Sequence, residues 1–475
     1  MTEVIRKSLR DSKAARWSAL GIISITMFAG YFLTDVMSPL KPMLEAEFGW
    51  SSTNYGIFTS AYGWLNVFLL MLIFGGIILD KMGVRFTGLM ASGIMVLGAA
   101  IKYWAITNPS LPNETVMGIH SQVFFASVGF AIFGVGVEIA GITVSKIIVK
   151  WFKGHEMALA MGMQMAVARM GTLLAMAAPV PLATYFSSNH LVVEDGSLVE
   201  RMGPSISAPI AFALVLLIIG FIAFFIYVSM DKKLDASIAT SGEVNDEEPF
   251  KFSDIGTIVA NKGFWLIAFL CVLFYSSVFP FIKYASDLMV NKYGVDQGLA
   301  GLIPSLLPLG TLFLTPLFGS IYDKKGKGAT IMIIGAVIIV IVHAIFSLPI
   351  LNYWMVAVVL VMLLGVALSL VPSAMWPSVP KIIPENQLGT AFSLIFWIQN
   401  WGLMGIPLLI GYVLDKTNPA VAIAKANGTE VPLYDYTYPM LIFTALGVLA
   451  VVVGFMLKAE DKKKGYGLEL PNIKG

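Results

Sequence analysis

The chain has 475 residues, of which 57% are hydrophobic and only 13% are charged, and its formal net charge is +2. Soluble globular chains carry about 25% charged residues, so this composition excludes a soluble domain and predicts a protein that crosses a membrane many times. The single cysteine, Cys271, excludes an internal disulfide and a zinc site built on cysteines. No cleavable signal peptide is predicted, because the first apolar run is too long and lacks a clear cleavage site.

Twelve apolar runs of membrane-spanning length fall into two groups of six. They lie near residues 17–38, 54–79, 86–107, 120–149, 157–185 and 206–230, and then near 263–284, 297–322, 328–350, 353–380, 386–413 and 436–457. The fold class predicted is an all-α membrane protein with twelve transmembrane helices in two six-helix bundles. Its parts are an N-terminal tail (1–16), a first bundle (17–230), a linker (231–262), a second bundle (263–457) and a C-terminal tail (458–475).

The basic residues predict the orientation of these spans. Most of the 31 lysines and arginines fall in the two tails, the linker and the loops on the same side of the membrane as the N-terminus. Cytoplasmic loops carry such an excess. We therefore expect both termini and the linker to be cytoplasmic.

Two opposite charges interrupt the fourth and fifth spans. Glu138 lies 15.5 residues before the point between Lys153 and Gly154, in the basic loop 150–156, and Arg169 lies 15.5 residues after it. If the two runs form a helical hairpin, both charges lie roughly 18 Å from the cytoplasmic helix ends, near the membrane midplane. Charges at that depth usually face a partner or a water-filled cavity. We predict either that the two charges pair directly with each other or that they hold the ammonium and the carboxylate of a substrate. A further alternative is that Glu138 carries a proton.

Other polar residues of the first half occupy spans one and two. Asp35 lies toward the outer end of span one, where it either lines the cavity mouth and meets a substrate amine or forms an outer gate contact. Tyr62 and Asn66 are four residues apart and share a helix face. A polar face at this depth is unfavourable against lipid, so we expect it to line the cavity or to pack between helices.

Three residues of the second half are candidates for the same cavity. Gln399 and Asn400 lie near the middle of span eleven, where an adjacent amide pair indicates hydrogen bonds to a substrate's peptide group or polar packing between helices. Trp376 lies among the prolines that interrupt the inner end of span ten, which favours a hinge or an inner gate.

One short motif occurs twice, at corresponding positions in the two halves. The first copy is Gly76, Asp80, Gly83 and Arg85, after span two, and the second is Gly319, Asp323 and Gly326, after span eight. Glycine permits close helix approach, and an aspartate can meet a helix N-terminus or a nearby arginine. We interpret the motif as a conformational lock on the cytoplasmic side, the alternative being a purely structural turn.

The twelve spans, the division into two sixes and this motif resemble the major facilitator superfamily. Further stretches resemble one branch of it, the lysosomal dipeptide transporters: Tyr31–Asp35, Tyr62–Val67, Trp151–Gly154, Ala168–Gly171, Val278–Ile282, Met375–Pro377, Pro384–Ala391 and Ile398–Asn400. The resemblance implies dipeptide uniport, with Glu138 and Arg169 holding the peptide's termini. It also implies a glycosylated accessory subunit, of which the sequence reveals nothing. The N-terminal tail carries no acidic dileucine signal, so we expect a bacterial inner membrane rather than a lysosome.

The sequence therefore predicts a secondary transporter that moves a small zwitterion, with dipeptides as the favoured substrates, by rocking alternating access. One alternative is a proton-coupled symporter of a small organic anion, in which Arg169 alone grips the carboxylate. Another is a membrane receptor or assembly partner that transports nothing. No catalytic residues, metal site or cofactor are predicted, and nucleic acid is not an expected partner, because no phosphate loop, catalytic triad or metal-ligand cluster is found.

Overall fold

The computed structural model describes residues 9–108, 111, 114–153, 155–194, 197–239, 252–384 and 387–472. Its first half contains, after a 3-10 turn at Leu9–Asp11, α1 (Lys13–Asp35), α2 (Lys41–Phe48), α3 (Ser52–Ser60), α4 (Trp64–Phe68), α5 (Met71–Thr107), α6 (Ser121–Phe152), α7 (Met157–Ala177), α8 (Pro179–Tyr185) and α9 (Ser207–Ala239). A second 3-10 turn, Ala61–Gly63, joins α3 to α4. Two antiparallel ribbons lie in the loops, β1 (Thr115–Val116) with β2 (Ile119–His120) and β3 (Ser188–Glu194) with β4 (Ser197–Gly203).

The second half repeats the helical plan. Its helices are α10 (Phe252–Ala260), α11 (Lys262–Tyr293), α12 (Leu302–Lys325), α13 (Gly328–Ser347), α14 (Trp354–Ile382), α15 (Leu388–Thr417), α16 (Pro419–Asn427) and α17 (Thr437–Lys464). Residues 240–251, the centre of the predicted linker, lie outside the described residues, as do the N-terminal residues 1–8. Helix α9 ends within the predicted linker, and helix α10 lies entirely within it.

Eleven helices in the described part of the chain are long and apolar enough to cross a membrane. The protein is a multi-pass, mostly helical membrane protein, and the predicted number of twelve spans stays a prediction. The difference arises at the second predicted span, 54–79, which is divided among α3, the 3-10 turn, α4 and the start of α5. Leu70 between α4 and α5 has a left-handed backbone, with φ 53°. No single helix therefore covers this span.

Helix α5 contains a sharp break of its own. Gly83 has φ 74° and ψ 172° within a helix that otherwise runs from Met71 to Thr107. Only glycine adopts such a φ without steric cost. The chain turns at Gly83: the stretch 71–82 contains the end of the second predicted span, whereas 84–107 corresponds to the third.

The two halves are held together at the helix ends opposite the chain termini, on the side that the sequence predicts to be outer and that we call the outer side. Gly56 of α3 and Gly411 of α15 allow a close approach of the two halves, since a Cβ at Gly411 would lie 2.2 Å from the Ser52 carbonyl oxygen. Asp415 of α15 accepts hydrogen bonds from the backbone N–H groups of Ser52 and Thr53 at 3.0 and 2.6 Å. The end of α15 thus supplies the cap that the first turn of α3 needs.

Candidate functional site

Glu138 lies inside the first half, on α6, and is bound by a neutral partner. The Tyr62 hydroxyl, from the turn between α3 and α4, donates to Glu138 Oε1 at 2.7 Å. The turn comes close because Gly134 has no side chain: a Cβ there would lie 2.2 Å from the Tyr62 carbonyl oxygen. Asn400 of α15 also lies beside the Glu138 carboxylate. The carboxylate is therefore at the boundary between the two halves.

Arg169 of α7 points to aromatic rings rather than to a carboxylate. Its guanidinium carbon lies 5.7 Å from the centre of the Tyr31 ring and 5.3 Å from that of Phe279, which belong to opposite halves. In the described part of the chain, no acidic side chain lies within ion-pair distance of the Arg169 guanidinium, and this includes Glu138. The direct Glu138–Arg169 pair, one of the two predicted arrangements, is not formed in this structure.

An aromatic wall continues from Arg169 into the second half. The Phe279 ring stacks on Tyr275 at 5.4 Å with an interplanar angle of 2°. Trp376 donates its indole N–H to the Tyr275 hydroxyl at 3.2 Å and packs on Phe396 at 5.0 Å. Trp376 is thus brought to the same wall as the ring that faces Arg169, which extends the group of residues that the sequence predicted.

The predicted amide residues differ in their contacts. Asn66 and Asn400 are fully buried, and the side-chain oxygen of each has no hydrogen-bond partner. Gln399 faces away from this pair and accepts a weak hydrogen bond from the Cys271 thiol at 3.5 Å. Unpaired buried amides are costly unless a ligand or water satisfies them. Asn66 and Asn400 therefore have hydrogen-bonding capacity to offer, one from each half.

Asp35 is not beside Glu138 but forms a separate ion pair. Its Oδ1 lies 2.5 Å from Lys283 Nζ, and Lys283 also donates to the Thr34 carbonyl oxygen at 2.6 Å. Asp35 ends α1 and Lys283 lies on α11, so the pair joins the two halves. Of the two predicted roles of Asp35, this geometry is that of a gate contact.

A second set of charges, which we call the outer ion cluster, lies beyond this pair. Lys41 Nζ bridges Glu45 at 2.6 Å and Asp287 at 2.7 Å, and Lys425 lies 2.8 Å from Glu45. Tyr434 donates to Glu45 at 3.0 Å, and Tyr436 donates to Asp287. These six residues come from both halves, and four of them, Glu45, Asp287, Lys425 and Tyr434, line a cleft of about 780 Å³. Their ion pairs join the two halves at this side of the protein.

Two charges of this cluster that lie outside the spanning helices, Lys41 and Glu45, are held in their ionised forms. Burial opposes the charge on Lys41, but Asp287 and Glu45 outweigh it and hold the pKa of Lys41 well above its usual value. Burial likewise opposes the charge on Glu45, but Lys41 and Lys425 hold the pKa of Glu45 below its usual value. The cluster is therefore stabilised by mutual attraction in a setting that water does not screen.

The first copy of the repeated motif ties the first half together at the side of the chain termini, which the sequence predicts to be cytoplasmic and which we call the cytoplasmic side. Asp80 lies 2.9 Å from Lys146 of α6. Arg85 lies 3.1 Å from Asp235 of α9, and a Cβ at Gly76 would be 4.0 Å from Ser393 Oγ, in the second half. Asp80 and Arg85 thus bind different helices rather than each other, and Gly76 is the part of the motif nearest the opposite half.

The second copy is bound by the C-terminal segment 465–472. Asp323 accepts a hydrogen bond from Asn472 Nδ2 at 2.8 Å, and Gly328, just beyond the motif, donates to the Leu468 carbonyl oxygen at 2.8 Å. Gly326 has φ 67°, and a Cβ there would lie 2.5 Å from the Glu469 carbonyl oxygen. Gly319 has open space around it. The segment packs on the second half alone, a contact that the predicted C-terminal tail did not suggest.

Sequence reasoning did not single out Tyr31 and Phe279 as site residues. Both are aromatic residues in apolar runs, where rings usually pack against other helices. Tyr31 precedes Asp35 by one helical turn and lies within electrostatic range of both Arg169 and Glu138. That spacing was a usable signal for Tyr31, but nothing in the sequence places Phe279 opposite Arg169.

The arrangement of two helical halves around a polar interior defines a membrane carrier. The sequence pattern of the Major Facilitator Superfamily matches residues 23–407 and 284–469. The chain belongs to this family, whose members are transporters and not enzymes. Among solved structures it is similar to a bacterial homologue of the human lysosomal transporter Spinster in an inward-facing, occupied conformation, with TM-score 0.68, 15% identity and coverage of 95% of this chain and 98% of that one. The nucleoside transporter NupG gives TM-score 0.60 at 14% identity, over 94% of this chain and 99% of that one.

Curated relatives carry a narrower name. The chain is 26% identical to the lysosomal dipeptide transporter MFSD1 of Homo sapiens, over 85% of this chain and 81% of that protein. It is 26% identical to the Danio rerio protein of that name, over 93% of this chain and 86% of that protein. A probable chloroplastic anion transporter of Oryza sativa is 30% identical over 33% of this chain and 25% of its own. Since the full-length matches are named lysosomal, they give no support to the expected bacterial inner membrane.

Proposed function

We propose that this protein transports dipeptides or similar small zwitterions, with Glu138 holding the ammonium and Arg169 the carboxylate. The observation that carries the proposal is that these two opposite charges lie in the membrane interior without pairing with each other. Glu138 has a neutral phenol as its partner, and Arg169 has two aromatic rings. A zwitterion supplies the charge that each lacks, and an arginine binds a carboxylate through two parallel hydrogen bonds.

The neutral parts of a dipeptide also find matching groups here. The unpaired amide oxygens of Asn66 and Asn400 suit the N–H of a peptide bond. The wall formed by Phe279, Tyr275 and Trp376 offers apolar surface to a side chain. Pockets of this kind combine apolar walls with a few polar groups that fix orientation. The relatives named as dipeptide transporters support this substrate class.

Alternating access is the proposed mechanism, and this structure represents the form closed on the outer side. Every ion pair between the halves that the described residues form lies at that side. Rocking of the halves about the midplane site would break those pairs and expose the site outward. We propose uniport, with cytoplasmic termini, and Asp80, Asp323 and their neighbouring motif residues as parts that stiffen each half.

The experiment pairs charge removal in the protein with charge removal in the ligand. Affinities are measured by calorimetry for a dipeptide, its N-acetyl form and its C-terminal amide. In the wild type we expect both blocked forms to bind about 10–100-fold more weakly, the effect of losing a charge-assisted hydrogen bond. Glu138→Gln is expected to abolish the penalty for N-acetylation alone, and Arg169→Gln the penalty for amidation alone.

Lys262→Met provides the control, because Lys262 is an exposed cation at the cytoplasmic side and far from the site. Equal binding of the dipeptide and its N-acetyl form to the wild type would instead favour the organic-anion carrier, to which the plant anion transporter match also points. Dipeptide flux into proteoliposomes is expected of a carrier, whereas a receptor that transports nothing gives no flux. A peptide-dependent proton flux that Glu138→Gln abolishes would replace uniport by symport.

A further inference from the structure

A lysine outside the proposed substrate site is buried without an acidic partner. Lys102, in the second part of α5, is fully buried. Its ammonium lies over the rings of Phe130 and Phe58, at 4.9 and 5.3 Å from their centres, and donates to the Leu33 carbonyl oxygen at 3.3 Å. Among the described residues, no carboxylate is within ion-pair distance of it. A buried lysine is costly unless it is paired, so this placement calls for a reason.

The nearest acid is already occupied by a lysine of the other half. Lys283 binds Asp35 Oδ1 at 2.5 Å and the Thr34 carbonyl oxygen at 2.6 Å, and its ammonium shares the Phe130 ring with Lys102. Both lysines thus bind the last turn of α1, at the consecutive residues Leu33, Thr34 and Asp35. A helix C-terminus has unpaired carbonyl groups and negative polarity, which attract cations. Asp35 and Lys283 are also the charges that act on Lys102.

The two lysines differ in which half carries them. Lys102 belongs to the same half as Asp35, whereas Lys283 belongs to the other. Opening of the outer side must separate Lys283 from Asp35, but it leaves Lys102 beside the end of α1. A buried carboxylate that loses its only partner is strongly destabilising. Lys102 is the cation that remains in place to prevent this.

We propose that Asp35 exchanges partners during transport, binding Lys283 when the outer side is closed and Lys102 when it is open. In the closed form the Lys102 ammonium is held on the Phe130 ring. In the open form it moves to the Asp35 carboxylate, so that neither state leaves that acid unpaired. Lys102 is then a positioning residue that sets the balance of the two states. This inference rests on the proposed alternating access, though not on the proposed substrate.

The test measures the population of the two states without substrate. Spin labels at Thr107→Cys and Asn352→Cys, exposed outer positions on the two halves, report the separation in a Cys271→Ala background by electron paramagnetic resonance. Lys283→Met is expected to raise the ratio of open to closed protein by about tenfold or more, since only the closed pair is lost. Adding Lys102→Met should reverse most of that increase, because the open pair is then lost as well.

Two further variants distinguish exchange from a structural role of Lys102. Lys102→Arg keeps the charge and should leave the Lys283→Met population open. In Asp35→Asn, where no carboxylate has to be paired, Lys102→Met should not change the population. The proposal is overturned if Lys283→Met stays closed, if Lys102→Met fails to reverse its opening, or if Lys102→Met acts equally in Asp35→Asn. If the exchange holds but dipeptides do not bind, only the substrate assignment fails.

Discussion

The outer and cytoplasmic faces of the protein use their charges differently. At the outer face, ion pairs join one half to the other. At the cytoplasmic face, the ion pairs that the described residues form stay within one half. The outer pairs are Lys41–Asp287, Lys425–Glu45 and Lys283–Asp35, and the cytoplasmic ones include Arg16–Glu156, Asp80–Lys146, Arg85–Asp235, Lys150–Asp231 and Lys262–Glu460.

This difference separates the charges that set the balance between conformations from those that contribute only to the stability of each half. A pair between halves exists in one state and is broken in the other, so it shifts the balance between them. A pair within a half persists through the transport cycle and contributes equally to both states. Breaking an outer pair should therefore open the outer side, whereas breaking a cytoplasmic pair should only reduce stability.

The largest expected effect comes from Lys41→Met in the outer ion cluster. Lys41 is fully buried between Glu45 and Asp287, and its removal leaves two buried acids with less compensation. Loss of one partner of a buried pair costs about 3–5 kcal/mol. We expect the closed state to lose most of its population, which the Thr107 and Asn352 spin labels would record as a longer separation.

Lys262→Met is the matched control for that change. It removes a lysine from an ion pair at the cytoplasmic side, where both partners belong to the second half and the lysine side chain is 64% exposed. The separation of the labels should stay as in the wild type. If both variants shift the labels equally, the contrast between the faces is wrong.

A smaller effect is expected from the second copy of the motif. Gly326→Ala places a Cβ 2.5 Å from the Glu469 carbonyl oxygen at a positive φ, so the C-terminal segment 465–472 must move. Strain of this kind costs about 1–3 kcal/mol. Thermal unfolding in detergent should show a lower midpoint, while the spin labels should report no change of state.

Gly319→Ala and Gly83→Ala are the controls for the Gly326→Ala variant. Gly319 is helical with open space around it, so alanine should be tolerated. Gly83 has open space but φ 74° and ψ 172°, a backbone region that essentially only glycine occupies, so alanine there should cost the backbone strain alone, about 1–3 kcal/mol. A Gly326 variant as stable as the Gly319 variant would show that the C-terminal segment does not hold the motif.

The sequence predicted the parts of the site that follow from helix geometry. Glu138 and Arg169 stand out because charges are rare in apolar runs, and equal spacing from a loop fixes equal depth. Tyr62 was predicted either to line the cavity or to pack between helices, and its hydroxyl donates to Glu138. The location of these residues in a Major Facilitator Superfamily fold was likewise accessible, because twelve apolar runs and a repeated motif are one-dimensional signals.

Other features depend on contacts that no local pattern encodes. Lys283 and Asp35 are 248 positions apart, and only the packing of one half on the other brings them together. The break at Leu70 has no glycine or proline to announce it, since leucine normally continues a helix. The sequence placed Lys102 within a helix, but its position over Phe130 could not be read from the helix alone.

The smallest effect tests the cytoplasmic face through pH. Arg16 donates three hydrogen bonds to the Glu156 carboxylate, from Nη2 at 2.8 and 3.1 Å and from Nε at 3.1 Å, and both residues belong to the first half. A hydrogen bond from its own backbone N–H and the bonds from Arg16 lower the pKa of Glu156.

A lowered pKa means that the Arg16–Glu156 pair stabilises the fold above the unfolded pKa, and that this stabilisation is lost as the pH falls through the folded pKa. Glu156→Gln should therefore lower the unfolding temperature slightly at pH 7, and the difference from the wild type should shrink as the pH falls below the unfolded pKa. Because the Glu156 side chain is 36% exposed, the difference should also shrink in high salt, and the spin-label separation should stay constant at pH 7. A Glu156→Gln variant that opened the outer side at pH 7 would contradict the assignment of cytoplasmic pairs to rigidity alone.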